Sequence, residues 1–167
     1  MNAWVLRRQA ARVVLLNDLD QVFLIKAVDP GDPNKPPWWE IPGGGIERGE
    51  ASEHAAYREL REEAGIADAQ VGPVVWVQHV EFDFGGYHFD QDEVIHIART
   101  KEREIHAPEG LEALELLAFQ EAKWWTLDEV QAADVGFLPP RLPELLPQLI
   151  DGPLPDPPLN ISPEPTI

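Results

Sequence analysis

The stretch from Ser52 to Ala64 ends in adjacent glutamates, Glu62 and Glu63, one step before Gly65. Its pattern predicts a helix. Ala56, Leu60 and Ala64 recur at helical spacing, Ser52 is placed to cap the start, and Gly65 can take the left-handed position beyond the end. A helix C-terminus carries partial negative charge and favours Lys or Arg, so two carboxylates there oppose it. Glu59 shares their face at i+3 and i+4, where like charges repel. Local rules broken together within one turn point to a functional site. A divalent cation bound among the three carboxylates is the simplest remedy. The bland alternative is a solvated acidic face, and the opposition to the helix dipole weighs against it.

Strands are expected on both sides of this helix. Gln9–Leu16 and Gln21–Val28 read as an apolar hairpin turning at Asn17-Asp18-Leu19-Asp20. After a Pro/Gly/Asp loop, Trp38–Ile41 reads as a short strand, and Gly43-Gly44-Gly45 as irregular backbone. Val74–Phe84 and Tyr87–Thr100 form a second hairpin around Gly85-Gly86. Glu109–Ala118 is a short helix or turn, Ala122–Trp125 a strand, and Thr126-Leu127-Asp128-Glu129 a capping box that opens another helix. Pro139–Ile150 reads as a last helix, with Pro147 expected to kink it. This order indicates a single α/β (α+β) domain, a mixed sheet between helices, over residues 1–151. Residues 152–167 form a Pro-rich tail expected to pack on the domain or on a partner subunit.

Composition narrows the function. The 167 residues suffice for one domain with a proper core. Cysteine is absent, which excludes disulfides, thiolate metal sites and a Cys nucleophile, and suits a cytoplasmic location. No apolar run reaches the length of a membrane span. The net charge of −17 argues against nucleic acid or an anionic membrane as partner. Arg7, Arg8 and Arg12 form an N-terminal basic cluster; they can reach a phosphate, though an ordinary surface role is expected. The five histidines show no metal-ligand spacing, and Trp38 and Trp39 are expected to pack rather than to stack a base.

The spacing around the helix carries the sharpest signal. Gly44, five residues, Glu50, seven residues, then Arg58-Glu59-Leu60-Arg61-Glu62-Glu63-Ala64-Gly65-Ile66 resembles the signature of the Nudix hydrolases at every defining position. Trp39-Glu40-Ile41-Pro42-Gly43-Gly44 and Lys123-Trp124-Trp125-Thr126 are similar to flanks of that family, and the likeness extends over roughly Ala10–Ile150, about one domain.

The resemblance implies the Nudix fold and a Mg²⁺-dependent hydrolase, with Mn²⁺ as a substitute, that cleaves the diphosphate of a nucleoside diphosphate linked to another group. It implies Glu59, Glu62, Glu63 and the Gly43 carbonyl as metal ligands, Arg58 holding Glu50, and Gly44, Glu50 and Gly65 as structural support. Oxygen ligands of this kind suit Mg²⁺. The general base is Glu62, Glu63 or, from its place beside the expected cleft at a strand edge, Glu93. A homodimer is a further expectation, since many similar proteins are dimeric. Two other classes compete. An isomerase of the same fold needs a Cys, which is missing; a non-catalytic nucleotide-sensing or protein-binding module is the remaining alternative.

Overall fold

The computed structural model describes residues 4–163. Its spine is β1 (Val5–Leu16), which pairs in parallel with β6 (Tyr87–Arg99) along its whole length, from Val5↔His88 to Leu16↔Arg99. β6 is joined to β5 (Gln70–Phe84) as an antiparallel hairpin. The turn falls at Gly85 and Gly86, φ 60° and 85°, as two-residue hairpins of this hand require. On the other side of β1 lie β2 (Val22–Ala27), β3 (Trp38–Glu40) and β8 (Gly136–Leu138), in the order β8-β3-β2-β1-β6-β5.

The expected hairpin of β1 with β2 forms at its turn alone. Asn17 Oδ1 accepts from the N–H groups of Leu19 and Gln21, both at 3.0 Å, and the strands pair at Leu16↔Val22. Beyond that pair they part. β2 continues with β3, with β7 (Phe119–Trp125) along its other edge, and β1 continues with β4 (Gly43–Gly45). The three glycines are therefore a strand, not irregular backbone; Ala10, Ala11 and Arg12 hold them in register. The parting of the sheet opens the cavity described below.

Helices cover both faces. α1 (Ser52–Ala64) packs Ala56, Leu60 and Ala64 against Val13, Leu15, Phe23 and Ile25. On the opposite face α3 (Leu127–Ala132) and α4 (Leu142–Asp151) pack Val130, Leu142, Leu146 and Leu149 against Val14, Leu16 and Leu24. Alternate β1 residues thus feed two cores, as a strand buried on both sides must. The capping box at Thr126 forms as read, with Thr126 and Glu129 exchanging bonds of 3.1 Å. α4 continues through Pro147. The missing Pro147 N–H frees the Pro143 carbonyl, which accepts from Gln131 Nε2 at 3.4 Å.

The tail contributes to the same body. β9 (Leu159–Asn160) pairs in parallel with β5 at Trp76 and Val77, and Ile161 is 3% exposed within the larger core. Among the described residues no helix is long and apolar enough to cross a membrane.

Candidate active site

α1 presents the acidic cluster, and its ends explain how. Ala51, not Ser52, stands at the N-cap, without a side-chain bond. Ser52 Oγ lies 2.9 Å from His96 Nε2, while His96 Nδ1 lies 2.8 Å from the Gly72 carbonyl. A carbonyl only accepts, so Nδ1 carries the proton and Ser52 donates to Nε2. The capping expectation fails because the serine is inside the helix and faces β6. At the other end Gly65 takes φ 64°, and Gly65 and Ile66 donate to the Arg61 and Leu60 carbonyls at 3.1 and 3.2 Å. The N–H groups of Glu109 and Gly110 both reach the Glu62 carbonyl at 3.1 Å, which ties the following loop to the helix end.

That loop leads into α2 (Ala113–Ala118) and sets Glu115 over α1. Carboxylate oxygens of Glu59, Glu63 and Glu115 lie within 4.8 Å of one another. Glu59 and Glu63 are 5% and 7% exposed, and Glu59 Oε2 is buried with no hydrogen-bond partner. Such a lone anionic oxygen is costly without a counter-charge. Burial and the carboxylates of Glu115 and Glu62 push Glu59 up to about 7 against the pull of Arg58. Burial and a hydrogen bond shared with Glu115 push Glu63 well above the ordinary range.

Glu62 stands apart from this trio. Its Oε2 accepts from Arg58 Nη1 at 3.1 Å. Arg58 is the organiser of the helix face: Nε and Nη2 grip Glu50 at 2.9 and 2.8 Å, Nη1 also holds Glu59 at 3.0 Å, and Nη2 donates to the Gly45 carbonyl at 3.0 Å. The fork of Arg58 holds the Glu50 carboxylate down at about 2.

The glycine strand fits tightly against the cluster. Gly43 has φ 147° and donates its N–H to Glu63 Oε2 at 3.1 Å; a β-carbon there would lie 2.4 Å from the Ala11 carbonyl oxygen. At Gly44 a β-carbon would meet Glu59 Oε1 at 2.6 Å. Only glycine leaves this room.

From these residues a cavity of about 710 Å³ runs through the gap in the sheet, bounded by Trp38, Phe82, Phe84 and Phe89. Phe82 and Phe89 are stacked at 5.0 Å. Trp39 packs in the core against Trp125, whereas Trp38 borders the cavity. Glu93 lines the cavity but lies on β6, between β1 and β5, and not at a strand edge. It accepts from Arg12 Nε at 3.0 Å, from Gln78 Nε2 at 2.8 Å and from Gln91 Nε2. Burial pushes Glu93 up, but Arg12 and these donors prevail and hold it below its ordinary value.

Arg8 and Arg12 also line the cavity, contrary to the surface role expected; Arg7 stays outside, paired with Asp90 at 3.3 Å. Arg12 is committed to Glu93. Arg8 spends Nε on Gln91 Oε1, lies 4.8 Å over the Phe89 ring, and has Nη1 beside Gly45. Glu115 escaped the sequence reading because an acid in the first turn of a helix is what the dipole favours. Its N-terminal capping box with Glu112 was the legible part, and its approach to α1 is purely tertiary.

The NUDIX domain model matches residues 6–149. A Bacillus subtilis protein named, provisionally, an 8-oxo-dGTP diphosphatase is 42% identical over 74 residues, 44% of this chain and 46% of that protein. An RNA pyrophosphohydrolase of Pelagibacter ubique is 38% identical over 64 residues, 38% of each. The chain thus spans less than half the length of these two relatives. Nudix hydrolase 25 of Arabidopsis thaliana is 30% identical over 149 residues, 80% of this chain and 81% of that one. Among solved structures, the MutT protein of Methanosarcina mazei Go1 is similar in fold, with a TM-score of 0.55 at 15% identity over 77% of this chain and 83% of that chain. With the family model matched across nearly the whole described body, the chain belongs to the NUDIX family.

Proposed function

We propose that this protein is a divalent-metal-dependent hydrolase of a nucleoside diphosphate linked to another group, cleaving the phosphorus anhydride. The observation that carries the reading is the Glu59–Glu63–Glu115 trio, in which Glu59 Oε2 is buried and unpartnered and Gly44 leaves room for the Glu59 carboxylate. Hard oxygen donors packed this closely suit Mg²⁺ or Mn²⁺. Glu59, Glu63 and Glu115 would hold the ion, with Glu62 and the Gly43 carbonyl as further donors. When bound, such an ion lowers the pKa of water and neutralises phosphate charge.

The chain's own residues supply the rest. Arg58 orients Glu59 and Glu62 and locks the loop at Glu50. Arg8 offers its free fork to phosphate oxygens, a geometry guanidinium suits. The aromatic walls take the nucleoside. Glu93 already accepts three donors, so little of its capacity of about four lone-pair sites is left for a water proton. In this reading it positions Arg12 and Gln78, and a carboxylate of the acidic cluster takes the proton. The −17 charge favours a small nucleotide over RNA, which pays a heavy electrostatic cost without a basic track. The names of the relatives support phosphorus-anhydride chemistry, on a nucleotide in one and on RNA in another, and the aligned shares leave the particular substrate to experiment.

The test is turnover of a panel of nucleoside triphosphates, dinucleoside polyphosphates and ADP-ribose-type compounds with Mg²⁺ or Mn²⁺. Release of a nucleoside mono- or diphosphate that stops on chelation is expected. Nucleotide-induced stabilisation with no product from any compound would favour the non-catalytic module instead.

A further inference from the structure

The matched family region ends at residue 149, yet the chain beyond it builds part of the cavity wall. β9 runs parallel to β5, and the segment continues along the same strand. The Ile161 N–H donates to the Val77 carbonyl at 2.9 Å, and the His79 N–H donates to Ser162 Oγ at 2.9 Å. Ser162 is itself held by Asn160 Oδ1, through its N–H at 2.9 Å and its hydroxyl at 2.7 Å. Ile161, buried in the main core, anchors the run. Proline has no N–H to donate, so the ladder to β5 stops at Pro163. There the chain joins Gln78, Val80 and Phe82 of β5 in lining the cavity.

We infer that the carboxy-terminal segment Ile161–Pro163 is a specificity element: it closes the β5 side of the substrate cavity and sets which group beyond the diphosphate fits there. The inference rests on the hydrolase reading. The catalytic carboxylates come from α1 and α2, whereas the described tail residues from Leu159 on bond to β5 and among themselves, so the effect falls on substrate choice and not on metal binding. Val80, Phe82 and the exposed Pro163 ring make an apolar wall. Ser162 and Asn160 fix that wall by hydrogen bonds within the tail itself. A pocket wall discriminates through the volume and apolar contact that it grants or denies, and loss of a contact of this size shifts discrimination about tenfold.

Two variants separate the wall from the anchor. One is a chain ending at Ser162, which keeps β9 and Ile161; the other is Pro163→Gly in the full chain. Both are compared with the parent for kcat and KM over the nucleotide panel, for Mn²⁺ affinity, and for melting temperature. Melting within about 3 °C of the parent and unchanged Mn²⁺ affinity are expected, because the anchor and the carboxylates are intact. The ratio of kcat/KM between preferred and poor substrates should change at least about fivefold, carried by KM. Ratios within about twofold of the parent in both variants overturn the inference. Should the parent hydrolyse nothing, the hydrolase reading fails separately. The ranking of nucleotides by thermal stabilisation then decides: a changed ranking in the variants supports the wall, and an unchanged one overturns it.

Discussion

Gly44 lies so close to Glu59 that a β-carbon on the glycine would come 2.6 Å from Glu59 Oε1. The flexible carboxylate, not backbone, is the obstacle, so Gly44→Ala displaces the Glu59 carboxylate and spares the fold. The expected result is Mn²⁺ affinity weakened by at least about tenfold, the scale of a displaced ligand support. Melting of the metal-free variant should stay near that of the parent. Calorimetry and a thermal melt measure both; parent-like affinity would mean that the Glu59 carboxylate is not at the ion.

Arg8 commits Nε to Gln91, and among the described residues its Nη atoms make no hydrogen bond, while Arg12 and Arg58 in the same cavity are engaged. Hydrogen bonds to charged groups suggest that Arg8→Ala raises KM about 10- to 100-fold. Metal affinity should not change, and Arg8→Lys should recover part of the loss. Steady-state kinetics with each variant read this out. An unchanged KM would place the phosphates away from Arg8.

Glu93→Gln separates a base from a positioning group. Losing a general base costs about 10²- to 10⁴-fold in turnover and removes one limb of the pH profile. The three donors around Glu93 predict a smaller loss, an intact profile, and lower stability from the buried Arg12 left without its anion, about 3 to 5 kcal/mol at most. A pH–rate profile that loses its acid limb would restore Glu93 as the base.

The acidic cluster makes the metal-free protein sensitive to alkali. Glu59 lies at about 7, and burial holds Glu63 well above its ordinary range, so both stand above the value of about 4.3 in an unfolded chain. The folded state therefore binds more protons, and the stabilisation from these groups is complete below the unfolded value and lost as pH rises through the folded ones. Glu50, held at about 2, behaves oppositely, and its contribution is lost only in acid. Melting without metal should fall between pH 5.5 and 8, Mn²⁺ should reverse the fall, and Glu63→Gln should flatten it. A metal-free melting temperature that rises over this window would contradict the assignment.

What the sequence disclosed was what local spacing encodes. The helix at Ser52–Ala64, its stop at Gly65, the Gly85-Gly86 turn and the Thr126 capping box all depend on neighbours within a few residues. The partner of β1 did not. A tight turn at Asn17 suggested β2, while the long-range pairing of β4 took the rest of that edge of β1, opposite β6, and left the gap that became the cavity. Gly43–Gly45 lacks side chains with any strand preference, and its pairing with β1 comes from register alone. The acidic face of α1 was legible, but its division was not. Glu59 and Glu63 meet Glu115 from a distant helix, and Glu62 turns to Arg58. Arg8 and Arg12 read as surface charges because nothing in their neighbourhood shows that the sheet opens beside them.

The account depends most on an ion docking at Glu59, Glu63 and Glu115, and titration calorimetry of Mn²⁺ at near-neutral pH tests it directly. The parent should bind with release of protons from the raised carboxyls, and Glu63→Gln should lose at least about tenfold in affinity with its fold intact. No binding heat from the parent, with or without nucleotide, or equal affinity in Glu63→Gln, would contradict it.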